Sequence, residues 1–153
     1  MFDFDAIRTP LSNLKGLRMW AAGWAGDIAW FQFGGPVQRP EARGPGTREV
    51  GEYALHLSCP WRWVTSSGFV RADEHSDRSA LGALGSLQAT YVDAELAADG
   101  ELILRLDIGD ALAIEGMPSS AATHKSECWR LLQPGLDTPH FVVSTTGTLW
   151  VER

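Results

Sequence analysis

The sequence predicts a β-rich α+β domain, a curved antiparallel meander of short strands with one or two short helices packed on one side. Three observations carry that prediction. Apolar and polar residues alternate with a period of two through residues 53–63 and again through 101–108. Turn residues interrupt the chain at short intervals, among them Gly26-Asp27, Asp99-Gly100, Gly109-Asp110 and Pro134-Gly135. Helical spacing of apolar residues is confined to the N-terminus and to 79–88. Many short strands with few helices bury their apolar faces as a meandering sheet covered on one side.

Taken in order, Phe4, Ile7, Leu11 and Leu14 fall at helical spacing. Asp3 would cap a first short turn through Arg8, and Thr9-Pro10 would open a second that stops at Gly16. From Leu17 the period becomes two. Trp20, Ala22 and Trp24 share a face, Ala25-Gly26-Asp27 turns, and Ile28, Trp30 and Gln32 oppose Ala29, Phe31 and Phe33 in a hairpin with aromatic cross-strand packing. Residues 34–51 hold glycines, prolines and charges without an apolar period and read as a long exposed or disordered loop. That loop lies within a single domain, 1–153.

The clearest strand follows, because Tyr53, Leu55, Leu57, Cys59, Trp61 and Trp63 alternate with Ala54, His56, Ser58, Pro60 and Arg62. One face is oily and the other polar. Pro60 has no N–H for a ladder, which puts that end at a sheet edge or a bulge. Residues 68–71 return as a strand and 73–77 form a charged corner. In 79–88, Leu81, Leu84 and Leu87 make a helical stripe behind an Asp77 or Ser79 cap, although Gly82 and Gly85 each cost about 1 kcal/mol relative to alanine. Residues 91–97 and 101–108 flank the Asp99-Gly100 turn, with Leu102, Leu104, Leu106 and Ile108 facing inward. Strands at 111–115, 127–132, 141–144 and 148–151 complete the chain.

A chain of 153 residues, 44% hydrophobic and 21% charged, is an ordinary soluble globular domain by composition. Thirteen Lys and Arg against nineteen Asp and Glu give a net charge of −6. A protein that grips phosphates needs a basic stripe, so nucleic acid and anionic membrane are not expected partners. The start, Met1-Phe2-Asp3-Phe4-Asp5, lacks the basic residues of a secretory signal, and the apolar run 19–33 is cut by Asp27 and too short to span a bilayer. A cytoplasmic protein is expected. Cys59 and Cys128 are compatible with one disulfide, but so wide a separation in that compartment reads more readily as two free core thiols.

Residues 52–62 (EYALHLSCPWR), 127–135 (ECWRLLQPG) and 139–143 (PHFVV) resemble motifs of a family of small, uncharacterised bacterial proteins, ALHxxCPWR early and ExWRLxxPG…PHFVV late. The resemblance covers roughly residues 50–145. It implies a fold expectation and a bacterial, cytoplasmic setting, and no reaction. One departure is Cys128, at a position where such proteins carry a histidine.

His56, Ser58 and Arg62 fall on the polar side of one strand, where an imidazole would act as acid or base and a guanidinium as an anion clamp. Period-two alternation on a solvated sheet face produces the same pattern without any site. No Gly-x-Ser-x-Gly elbow activates Ser58. The metal-ligand types His56, Asp73, Glu74, His75, Asp77, His124, Cys128 and His140 lack ligand spacing, so no metal is expected. No glycine-rich phosphate loop follows a strand, and no cofactor is called for. Seven tryptophans are the compositional outlier. Most fill a thin core, while Trp61 or Trp63 beside Arg62 would make a hot spot for a partner. With His140, these six residues are the candidate binding set. The leading reading is a non-enzymatic protein-binding or accessory protein, antitoxin- or immunity-like, with self-pairing through an edge strand as a further partner mode. The alternatives are a small-molecule site lined by Trp and His, then a hydrolase using His56.

Overall fold

The computed structural model describes residues 4–41, 43–115, 127–144 and 147–152. The helix α1 (Phe4–Leu11) runs unbroken through Thr9-Pro10 and continues as a 3-10 turn, Ser12–Leu14. This differs from the expected break at Thr9. The stripe Ile7, Leu11 and Leu14 is wholly buried, and proline in the last turn already has a helical φ, so keeping one register outweighs the lost N–H. The Thr9 hydroxyl donates back to the Asp5 carbonyl at 3.0 Å instead of capping a new helix. The expected cap Asp3 lies outside the described residues.

The chain is β-rich and its strands pair antiparallel, as predicted; among the described residues they form two large sheets and one separate two-stranded ladder. The first has the order β1 (Met19–Ala25), β2 (Ile28–Phe33), β5 (Tyr53–Leu57), β11 (Glu127–Leu132), β12 (His140–Ser144) and β13 (Leu149–Glu152). The second runs β7 (Val70–Asp73), β6 (Trp61–Val64), β10 (Ala111–Ile114), β9 (Leu102–Leu106) and β8 (Tyr91–Leu96). Alternation sends Phe31, Leu55, Leu57, Trp129 and Leu131 of the first sheet and Trp61, Trp63, Leu104, Leu112 and Ile114 of the second into one core. Phe31 joins the two, edge-on to Trp61 at 5.3 Å between ring centroids and stacked on Trp63 at 6.3 Å.

The predicted strand at 53–63 is two strands in two different sheets, β5 and β6. Tyr53, Leu55, Leu57, Trp61 and Trp63 all turn toward the core, as the alternation predicts. The break falls at Ser58–Pro60, where proline cannot extend the ladder and the chain crosses from one sheet to the other. The expected loop at 34–51 contains a hairpin, β3 (Val37–Pro40) against β4 (Thr47–Val50), with Val37 opposite Val50 and Gln38 opposite Glu49. A two-stranded ladder needs backbone pairing more than an apolar period, so most of its residues are exposed. Ile108, expected inside, is 43% exposed because the strand ends at Leu106 and Ile108 sits in the turn that follows, ahead of the positive-φ Gly109.

The helix α2 (Arg78–Gly85) is capped by Asp77, whose carboxylate accepts the Ala80 N–H at 2.8 Å. It packs on β1 so closely that a Cβ on Gly85 would lie 2.5 Å from the Trp20 carbonyl oxygen. At the same corner Met19 N–H donates to the Ala89 carbonyl at 2.7 Å and Tyr91 N–H to the Leu17 carbonyl at 3.0 Å, tying the start of β1 to the start of β8. In the core, the buried Asp110 carboxylate accepts from Trp63 Nε1 at 2.8 Å and Arg71 Nε at 2.6 Å. An indole N–H sealed without an acceptor would cost about 1–3 kcal/mol, which gives a carboxylate its place there.

Cys59 and Cys128 are joined as a disulfide with Cα atoms 4.9 Å apart, correcting the expectation of two free thiols. Adjacency of β5 and β11 brings them together, a pairing hidden by 69 residues of separation. Among the described residues no helix is long and apolar enough to cross a membrane.

Candidate functional site

Antiparallel register decides which polar side chains share a surface. Across the outer face of the six-stranded sheet, Gly23 stands opposite Trp30, Trp30 opposite His56, His56 opposite Arg130, Arg130 opposite Val142, and Val142 opposite Trp150. Side chains in one such row point the same way and touch their neighbours. Gly23 makes room for the first of them, since a Cβ there would sit 2.5 Å from the Trp30 ring. One pleat away, His140 stands opposite Glu152.

Arg130 is the hub. Its guanidinium is gripped by Glu127, Nε to Oε2 at 2.9 Å and the terminal nitrogen to Oε1 at 2.6 Å. The same nitrogen lies 3.1 Å from Glu152, and the other terminal nitrogen 2.8 Å from His140 Nδ1. A guanidinium only donates, so Nδ1 accepts and the neutral His140 ring carries its proton on Nε2. Hydrogen bonding to Glu127 raises the already high pKa of Arg130, and Arg130 in turn holds the Glu152 carboxyl below the usual carboxylate range. Burial first, then the charge of Arg130 and the proximity of His140, lower the His56 pKa below 6.5, leaving a neutral imidazole at pH 7. The result is a half-buried, pre-set cluster of one cation, two carboxylates and two imidazoles, flanked by the half-exposed rings of Trp30 and Trp150.

Of the candidate binding residues, His56 and His140 belong to this sheet, and Ser58 is exposed just past the end of β5. Arg62 belongs to the other sheet, where Glu101 takes both of its terminal nitrogens. It is therefore engaged and does not meet His56. Trp61 and Trp63 are 4% and 0% exposed, so the expected aromatic hot spot beside Arg62 is core. Sequence reasoning passed over Arg130, Glu127, Glu152, Trp30 and Trp150. Arg130 was visible as the polar residue between the core positions Trp129 and Leu131, but its neighbours are set by pairing to β5 and β12.

Clefts among the described residues lie elsewhere. One of about 390 Å³ opens among Trp24, Asp27, Glu74, Asp77 and Arg78, and its lining holds an indole and no histidine. A second, about 240 Å³, runs between α2 and β7 beside Phe69, and a third, about 150 Å³, lies beside Arg62. Among the described residues, no three His, Cys, Asp or Glu side chains are grouped to hold a metal ion. His124, considered above as a ligand type, lies outside the described residues. In comparison with known proteins, no family model, no curated protein and no solved structure matches this chain.

Proposed function

We propose that this chain is a non-enzymatic protein-binding or accessory protein, of the antitoxin or immunity type, that engages its partner through the outer face of the six-stranded sheet. We place it in the bacterial cytoplasm with the small proteins whose motifs it resembles. One observation carries the reading: Trp30, His56, Arg130 and Trp150 lie in a single cross-strand row, with the arginine already fixed by Glu127, Glu152 and His140. Tryptophan and arginine dominate binding energy at protein interfaces, and a side chain held before contact loses little freedom on association. A sheet face also offers breadth, which suits a protein surface better than a small ligand.

The test is affinity capture from the source cell with the intact chain and two kinds of variant. A protein retained at one-to-one stoichiometry by the unmodified chain and by Arg62→Ala, and lost with Trp150→Ser or Arg130→Gln, supports the reading. Retention that survives both face variants, or no stoichiometric protein at all, removes it.

A further inference from the structure

We propose that the Cys59–Cys128 disulfide is a thiol-exchange site of fixed polarity, at which a small monothiol such as glutathione attacks the Cys59 sulfur and Cys128 departs as a buried thiol. The two cysteines sit in unlike surroundings. Cys59 is half-buried at the crossing between the sheets, next to exposed Ser58, whereas Cys128 is 1% exposed inside β11. Exchange requires the attacking sulfur to approach in line with the S–S bond, so access selects the sulfur that is struck. Of the two residues, Cys59 is the partly exposed one and Cys128 the buried one.

The same backbone also accommodates the reduced form. Cys59 Sγ lies 3.2 Å from the Cys128 carbonyl oxygen, so a thiol at Cys59 finds an acceptor already in place. The Ser58 N–H donates to that same carbonyl at 2.8 Å, and Leu57 stays opposite Trp129. These backbone pairings keep the sulfurs adjacent after the bond opens, which makes re-closure intramolecular. Cys128 meanwhile becomes one of the small apolar thiols that cores hold readily.

In the first step the glutathione thiolate forms a bond to the Cys59 sulfur, and the electron pair of the old S–S bond passes to Cys128, which takes up a proton. A second glutathione thiolate then attacks the glutathione sulfur of the mixed disulfide, Cys59 departs as the thiolate and takes up a proton, and two protein thiols and glutathione disulfide remain. Two electrons enter the protein and two glutathione thiols are oxidised. The consequence reaches the cluster described above, because Glu127, which grips Arg130, is the residue next to Cys128 at a register shift between β11 and β12. Opening the staple removes the covalent restraint on that end of β11, so its backbone pairings remain formed but open more often.

The test uses the intact oxidised chain in native buffer with reduced glutathione, an acid quench, alkylation and peptide mass mapping. The mixed disulfide is expected on Cys59 at least tenfold over Cys128. In the chain reduced with dithiothreitol, amide hydrogen exchange at Ser58 and residues 127–130 should quicken at least tenfold while residues 112–114 keep their protection. Glutathione disulfide should restore the slow rates. An adduct shared equally or found mainly on Cys128, exchange only in denaturant, or reduction that exposes all these amides together would overturn the proposal. None of these readouts depends on a partner.

Discussion

Two glycines three residues apart in α2 give the sharpest test of how the helix meets the sheet. Gly82 is exposed, and a Cβ built there meets nothing within 4 Å. Gly85 is buried, and a Cβ built there comes within 2.5 Å of the Trp20 carbonyl oxygen, 3.0 Å of its carbon and 3.2 Å of the Ala21 Cα. Neither needs a left-handed backbone, so alanine at either position gains helix propensity, about 0.5–1 kcal/mol in the helix interior and less at the last residue. The difference between the two variants therefore isolates the contact. The obstructing atoms at Gly85 are backbone and cannot swing aside, so α2 must retreat by several tenths of an ångström. Leu81 and Leu84, 0% and 2% exposed, then lose their seats. Overpacking of this kind costs about 1–3 kcal/mol. Gly82→Ala should be more stable than the unmodified chain and Gly85→Ala less stable. A gap in the upper half of that range separates their melting temperatures by roughly 4–12 °C for a chain of this length. Urea unfolding with unchanged m-values, followed by tryptophan fluorescence, measures it. Equal stability of the two variants, or Gly85→Ala as the more stable, would refute the close approach of α2 to β1.

Asp110→Ala should destabilise by about 2–3 kcal/mol, because it strands the Trp63 N–H in the core, while the half-exposed Arg71 pairing adds little. Asp110→Asn, which keeps one acceptor, should cost roughly half as much or less, and thermal melts that rank the two in the opposite order would refute the assignment. For pH, the lowered His56 pKa means that the unfolded chain binds more protons than the folded one between the folded value and 6.5. The contribution is full above 6.5 and is lost as pH falls through the folded pKa. His56→Gln should flatten that part of the stability–pH curve, and an unchanged slope by chemical denaturation would show that His56 does not supply it.

Local rules were enough for much of this architecture. Alternation at 53–57, 61–63 and 102–106 fixed which residues face inward, since a strand has only two sides. Asp77 announced its helix by an acceptor ahead of an apolar stripe, and Gly26-Asp27 announced its hairpin. Period alone cannot say which sheet a strand joins. The same alternation carries through 53–63 whether the chain runs straight or crosses at Pro60, and only the crossing puts His56 and Arg62 on different sheets. The Arg130 cluster and the Cys59–Cys128 bond arise in the same way, from β11 lying between β5 and β12. Periodicity is a property of neighbours along the chain, whereas a surface also joins residues distant in sequence, such as His56 and Arg130, brought together only when a shared core selects one strand order.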